Sequence, residues 1–211
     1  MIATVFDTLG WALAFSLCVP GLGGRPVRAV AALLGIALAI SVPLADSSLI
    51  GALRGLFAGL SVATQVVLTA LFVARVKRGG VFAGGERVSI AVLATAVGAL
   101  FYPLALGLGP VDPYAWGYAG ATLATIAGGV GLLAWLAGLR MLALCIVLAL
   151  PAWRLQLLAS PNLWDYLIDP LLAIGALIAL ILMALKSARR VRSRPEQQGA
   201  DSGAGQGRST T

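Results

Sequence analysis

Near the carboxyl end, one stretch holds the residue types best suited to chemistry. PAWRLQLLASPNLWDYLIDP contains Trp153, Arg154, Asn162, Trp164, Asp165, Tyr166 and Asp169. A short helix begun at Ser160-Pro161 sets Asp165 and Asp169 one turn apart on one face. Paired carboxylates hold a cation or divide into acid and base, and aromatic rings stack on flat or cationic groups. A cation, a lipid headgroup or a glycan therefore suits this stretch, with Asp112, Tyr114, Trp116 and Tyr118 as further candidates. The plainer alternative is an interfacial helix with Trp and Tyr at headgroup depth and Asp169 capping the helix that follows. As a catalytic pair, Asp165 and Asp169 are weak. The fuller aspartate-rich motifs of prenyl- and alcohol-phosphotransferases are absent.

A second polar feature crosses the run Leu49–Ala74, LIGALRGLFAGLSVATQVVLTALFVA. Read as one helix, it carries Arg54, Ala58, Ser61, Gln65 and Thr69 as a broken track on one side. Arg54 has three readings: it snorkels outward, it pairs with Asp46, Asp112 or an outer-loop Asp, or it lines a substrate or ion path with Ser61, Gln65 and Thr69. Beside the track, Gly51, Gly55, Gly59 and Ala63 recur every fourth residue and predict close helix packing. The pattern returns as Gly117, Ala121, Thr125 and Gly129, with Gly120, Ala124 and Gly128 alongside. Packing within the chain is its default use, and an interface to another subunit is the alternative.

Histidine is absent, which excludes bis-histidine haem, histidine-ligated chlorophyll and the usual zinc sites. No cofactor and no metal is expected. Rhomboid-like and CAAX-type proteases and phosphohistidine phosphatases are excluded on the same ground. Cys18 and Cys145 both fall in apolar runs without disulfide or metal spacing, and read as small apolar residues. GGVFAGGER lacks the Lys-Ser/Thr of a phosphate-binding loop.

These groups need elements to hold them, and composition states which. Of 211 residues, 60% are hydrophobic and 11% charged, far below the ~25% charged of a soluble domain. The reading is an all-α, polytopic transmembrane bundle over residues 1–185, followed by a basic, disordered cytoplasmic tail, 186–211. The expected segments are Thr4–Leu22, Val27–Ala45, Leu49–Ala74, Val88–Leu108, Ala115–Leu139, Met141–Leu158 and Pro170–Leu185. That is about seven spans, or six if the first does not cross. MIATVFD lacks the basic start of a signal peptide. With the amino terminus out and the carboxyl terminus in, all fifteen Lys and Arg except Arg54 and Arg154 fall inside. Asp7, Asp46, Asp112, Asp165 and Asp169 fall outside. The net charge of +7 is thus a topology signal, and nucleic acid is not an expected partner.

The leading expectation is a non-catalytic integral membrane subunit or scaffold in a bacterial inner membrane, from a GC-rich genome. Its partners are the bilayer, a membrane protein or a second copy, and anionic lipid at KSARRVRSR. A small transporter or translocation component using Arg54, Gln65 and the outer acids is the alternative. An enzyme on lipid-linked substrates at the outer face comes third.

Overall fold

The computed structural model describes residues 2–44, 47–57, 59–82, 85–118 and 121–204, with the backbone alone described at 44, 47 and 190–204. Among these the chain is helical: α1 (Ile2–Ser16), α2 (Pro26–Ser41), α3 (Leu49–Phe57), α4 (Val62–Lys77), α5 (Glu86–Ala105), a 3-10 turn (Tyr114–Gly117), α6 (Ala121–Leu136), α7 (Arg140–Arg154), a short α8 (Trp164–Leu167) and α9 (Pro170–Ala204). A two-residue antiparallel pairing, β1 (Pro43–Leu44) with β2 (Ser47–Ser48), turns the chain between α2 and α3.

Local chemistry sets the boundaries. Pro26 opens α2, where its missing N–H costs nothing, and α2 stops at Val42, which is held extended before Pro43. Ser48 Oγ accepts the Gly51 N–H at 3.2 Å at the start of α3. Asp46 lies outside the described residues, as does Gly120. α4 ends on Arg78 in the left-handed region, with the Gly79 N–H returning to Ala74 O at 3.2 Å.

Helices approach closely at glycines that do not form the expected stripe. A Cβ at Gly98 of α5 would stand 2.6 Å from Ala173 Cβ of α9, and one at Gly131 of α6 would stand 3.1 Å from Ile146 Cγ2 of α7. Gly10 of α1 lies against Leu60 and Gln65. Cys145 Sγ of α7 faces Ala63 O of α4 at 3.8 Å. Leu60, Leu163 and Tyr166 are fully buried.

α5 and residues Pro170–Arg189 of α9 are long and apolar enough to cross a membrane; α1, α2 and α6 are apolar but shorter. Leu34, Leu38, Leu100, Leu133 and Trp135 are 60–71% exposed, an apolar exterior that water disfavours and lipid accepts.

Several expectations change. Leu49–Ala74 is two helices, α3 and α4, because Gly59 takes φ +102° and Ser61 is extended. The glycine spine fails with it. Gly51 and Gly55 are exposed, a Cβ at Gly55 would meet nothing within 4 Å, and Gly59 is not helical. Of the four, only Ala63 is buried. Gly117 sits in the 3-10 turn, not in a span, and a Cβ at Gly128 would meet only Leu150 Cδ1 at 3.9 Å. Asp165 and Asp169 do not share a helix, since Ile168 is extended between α8 and α9. α9 also continues past Leu185 to Ala204, where irregular chain was expected.

Candidate functional site

The break between α3 and α4 leaves the first N–H groups of α4 without helical partners. Ser61 supplies part of the answer locally: its Oγ accepts the Thr64 N–H at 3.1 Å. Two aspartates from distant helices meet further N–H groups at the break. Asp7 Oδ1 on α1 accepts the Leu60 N–H at 3.1 Å. Asp169 Oδ2 accepts the Ser61 N–H at 2.7 Å and the Thr64 hydroxyl. The other oxygen of Asp169 accepts the Leu172 N–H at 2.7 Å, so one side chain caps both α4 and α9. Asp7 and Asp169 are 2% and 5% exposed.

Arg54, at the end of α3, returns over the break. Its Nε lies 3.0 Å from Asp7 Oδ2, and Nη1 donates to Thr4 Oγ1 at 2.7 Å. Glycine is needed at position 59 twice over. Its φ lies where side chains are strained, and a Cβ there would sit 3.1 Å from Asp7 Oδ1.

These groups border a cavity of about 400 Å³ lined by Asp7, Arg54, Tyr102, Tyr114, Asp165 and Asp169, with Phe57, Leu106 and Leu158 as apolar wall. The Tyr114 hydroxyl donates to Asp165 Oδ2 at 3.0 Å. Burial, then a hydrogen bond with Tyr118 and the Asp165 charge, raise the Tyr114 phenol above its ordinary range, so it stays a donor. The Tyr102 hydroxyl is buried and has no hydrogen-bond partner. An orphaned polar atom in a cavity with three carboxylates marks a place for a polar ligand or water.

The aromatic loops reach this cavity through Tyr114, Leu158, Ser160 and Asp165. Asp112 Oδ1 accepts the Tyr114 N–H at 2.9 Å, fixing the 3-10 turn. Asn162 Nδ2 donates to Tyr114 O, and Trp164 Nε1 to Pro113 O. A Cβ on Gly117 would collide with the Asn162 side chain, so that glycine permits loop closure. Tyr166 is buried and takes the Leu158 N–H at 3.1 Å. Trp153 Nε1 donates to Pro161 O, whereas Arg154 is exposed and does not line the cavity.

The expected polar track therefore separates. Arg54 and Ser61 serve the break, Gln65 is buried with its Nε2 unpartnered, and Thr69 is exposed. Arg54 pairs with Asp7, not with Asp112 or an outer-loop Asp. Asp165 and Asp169 do border one cavity, from different elements. Three residues of the site escape sequence reasoning: Asp7, Thr64 and Tyr102. For Asp7 a signal exists, a lone carboxylate inside an apolar helix, which is costly unless paired. Tyr102 has none. No protein family matches this chain, and no curated protein and no solved structure is significantly similar to it.

Proposed function

We propose that this chain is a multi-pass membrane protein, amino terminus outside and carboxyl terminus inside, that binds a small organic monocation in its acidic cavity as part of a transport or translocation activity. The observation that carries the reading is the helix break with two buried carboxylates beside an orphaned hydroxyl. Irregular backbone at membrane depth is tolerated where protein buries it or a cavity lies beside it, and broken helices recur at transporter sites.

Charge accounting indicates the ligand class. Asp7 is balanced by Arg54. Asp169 faces the starts of α4 and α9, each worth roughly half a positive charge. Asp165, which accepts from the neutral Tyr114 phenol, is left as the unbalanced negative charge. One positive charge on the ligand closes the sum. Tyr102 offers its oxygen to an N–H, and Phe57, Leu106 and Leu158 suit an apolar substituent. Both oxygens of Asp169 are committed to donors, which favours capping over acid–base catalysis.

The test is uptake of choline, ethylamine and tetraethylammonium by vesicles holding the purified chain. At least one should accumulate, and Asp165→Asn should cut its uptake by about tenfold or more while thermal unfolding stays unchanged. No uptake of any of the three, or wild-type uptake by Asp165→Asn, removes the proposal.

A subunit role remains the second reading, favoured by the exposed Gly51 and Gly55, the latter with open space where a Cβ would stand. Under it, Gly55→Leu leaves the isolated chain's stability within about 0.5 kcal/mol of wild type but abolishes co-purification of a partner. Retention of that partner by the variant counts against it.

A further inference from the structure

At the other end of α4 lies a pocket of about 590 Å³ lined by Leu17, Arg75, Arg78, Phe82 and Arg87 among others. Among the described residues, three guanidinium groups border it and no carboxylate does. Glu86, the neighbour of Arg87, is buried and accepts the Met141 N–H. Arg75 is held firmly, donating to Leu17 O and Val19 O at 2.7 Å each, which uses two of its five N–H groups. The guanidinium of Arg87 lies 4.9 Å from the ring centroid of Phe82. Arg78 runs beside Gly23, where a Cβ would come within 3.1 Å of its Nε.

This basic pocket adjoins an apolar one. A cavity of about 480 Å³ between α4, α5 and α9 shares Leu71, Phe82 and Arg87 with it and is bordered by Leu68, Ile90, Leu172, Gly175 and Lys186. Along α9, Leu171 to Lys186 covers about 22 Å at ~1.5 Å per residue. That exceeds one leaflet of a ~30 Å hydrocarbon core.

We infer that the two cavities together form a site for one anionic phospholipid, its phosphate among Arg75, Arg78 and Arg87 and an acyl chain in the groove along α9. Charge selects the headgroup. A zwitterionic lipid brings a cation that three guanidiniums repel, whereas phosphatidylglycerol brings none. The positive-inside bias assigns this end to the cytoplasmic leaflet, where anionic lipid meets basic pockets between helices. A soluble phosphate shares the headgroup chemistry but leaves the groove empty.

Native mass spectrometry of the full chain in detergent tests this, with phosphatidylglycerol, phosphatidylcholine of the same acyl chains, and inorganic phosphate as separate probes. One phosphatidylglycerol per chain should be retained in preference to phosphatidylcholine. The double variant Arg78→Gln/Arg87→Gln should weaken that retention roughly 30-fold and leave phosphatidylcholine unchanged. Arg75 is left intact because it closes α1. Gly175→Leu keeps every charge and adds a side chain where nothing lies within 4 Å, so it should block the acyl chain and weaken phosphatidylglycerol without lowering thermal stability. Equal retention of the two lipids, or wild-type retention by the double variant, overturns the assignment. Displacement by inorganic phosphate together with no effect of Gly175→Leu also overturns it, and identifies a soluble-anion site instead.

Discussion

Where α4 starts, N–H groups at and just before its cap are met from far along the chain, by Asp7 at a separation of 53 residues from Leu60 and Asp169 at 108 from Ser61. Where it finishes, Ala74 O and Arg75 O are met by the very next residues, Gly79 and Arg78, and Val76 O takes a neutral backbone N–H from Gly24 at 2.7 Å. The start is therefore a product of tertiary assembly, built with buried charge. The finish is built from backbone groups without buried charge; of its arginines, Arg75 is committed to Leu17 O and Val19 O, and Arg78 is exposed and open to other work. Loss of one partner at the start strands polar groups away from water, whereas a change at the finish is absorbed by neighbouring chain and solvent.

Substitutions separate the two ends by size of effect. Asp169→Ala should cost most, about 3–5 kcal/mol, because it strands donors on both α4 and α9. Denaturant unfolding in mixed micelles measures it, and a loss under ~1 kcal/mol would mean that water replaces the carboxylate and the start is no more demanding than the finish. Arg54→Ala should cost about 1–2 kcal/mol, discounted because the Arg54 side chain is 30% exposed. Adding Asp7→Asn should recover part of that loss, since no buried charge then lacks a partner. A double variant as unstable as the sum of its single changes would break the claim that these charges act as a pair. Smallest of all, Arg78→Gly should leave stability within about 1 kcal/mol or raise it slightly, because glycine suits the left-handed cap. A large loss there would show that the finish depends on distant contacts as heavily as the start.

Sequence alone makes the helical character and its apolar exterior legible, because both follow from composition and the length of apolar runs. The separation of charge is also visible. Asp7, Arg54, Asp165 and Asp169 meet in one cavity, and Arg75, Arg78 and Arg87 in another. The break in Leu49–Ala74 is harder to see. Gly59-Leu60-Ser61 contains a helix-stopping glycine and a helix-starting serine, but unbroken hydropathy outweighs so short a signal. Even spacing likewise promotes Gly51 and Gly55 to a packing face, although spacing fixes only that residues share a side and not what that side meets. The partner of Arg54 depends on where α1 lies against α3, a tertiary fact with no local trace. Asp7 consequently reads as a marker of sidedness, when it is a structural anion of the site.

That one carboxylate begins two helices has a consequence for how the protein comes into being. At 5–20 residues added per second, the ribosome needs about 5–20 s to go from Ser61 to Asp169. Throughout that interval the Ser61 N–H lacks the carboxylate that meets it in the finished fold, although Asp7 and the Ser61 hydroxyl are already at hand for Leu60 and Thr64. A chain interrupted before residue 169 therefore lacks the acceptor that ties the start of α4 to the last helix.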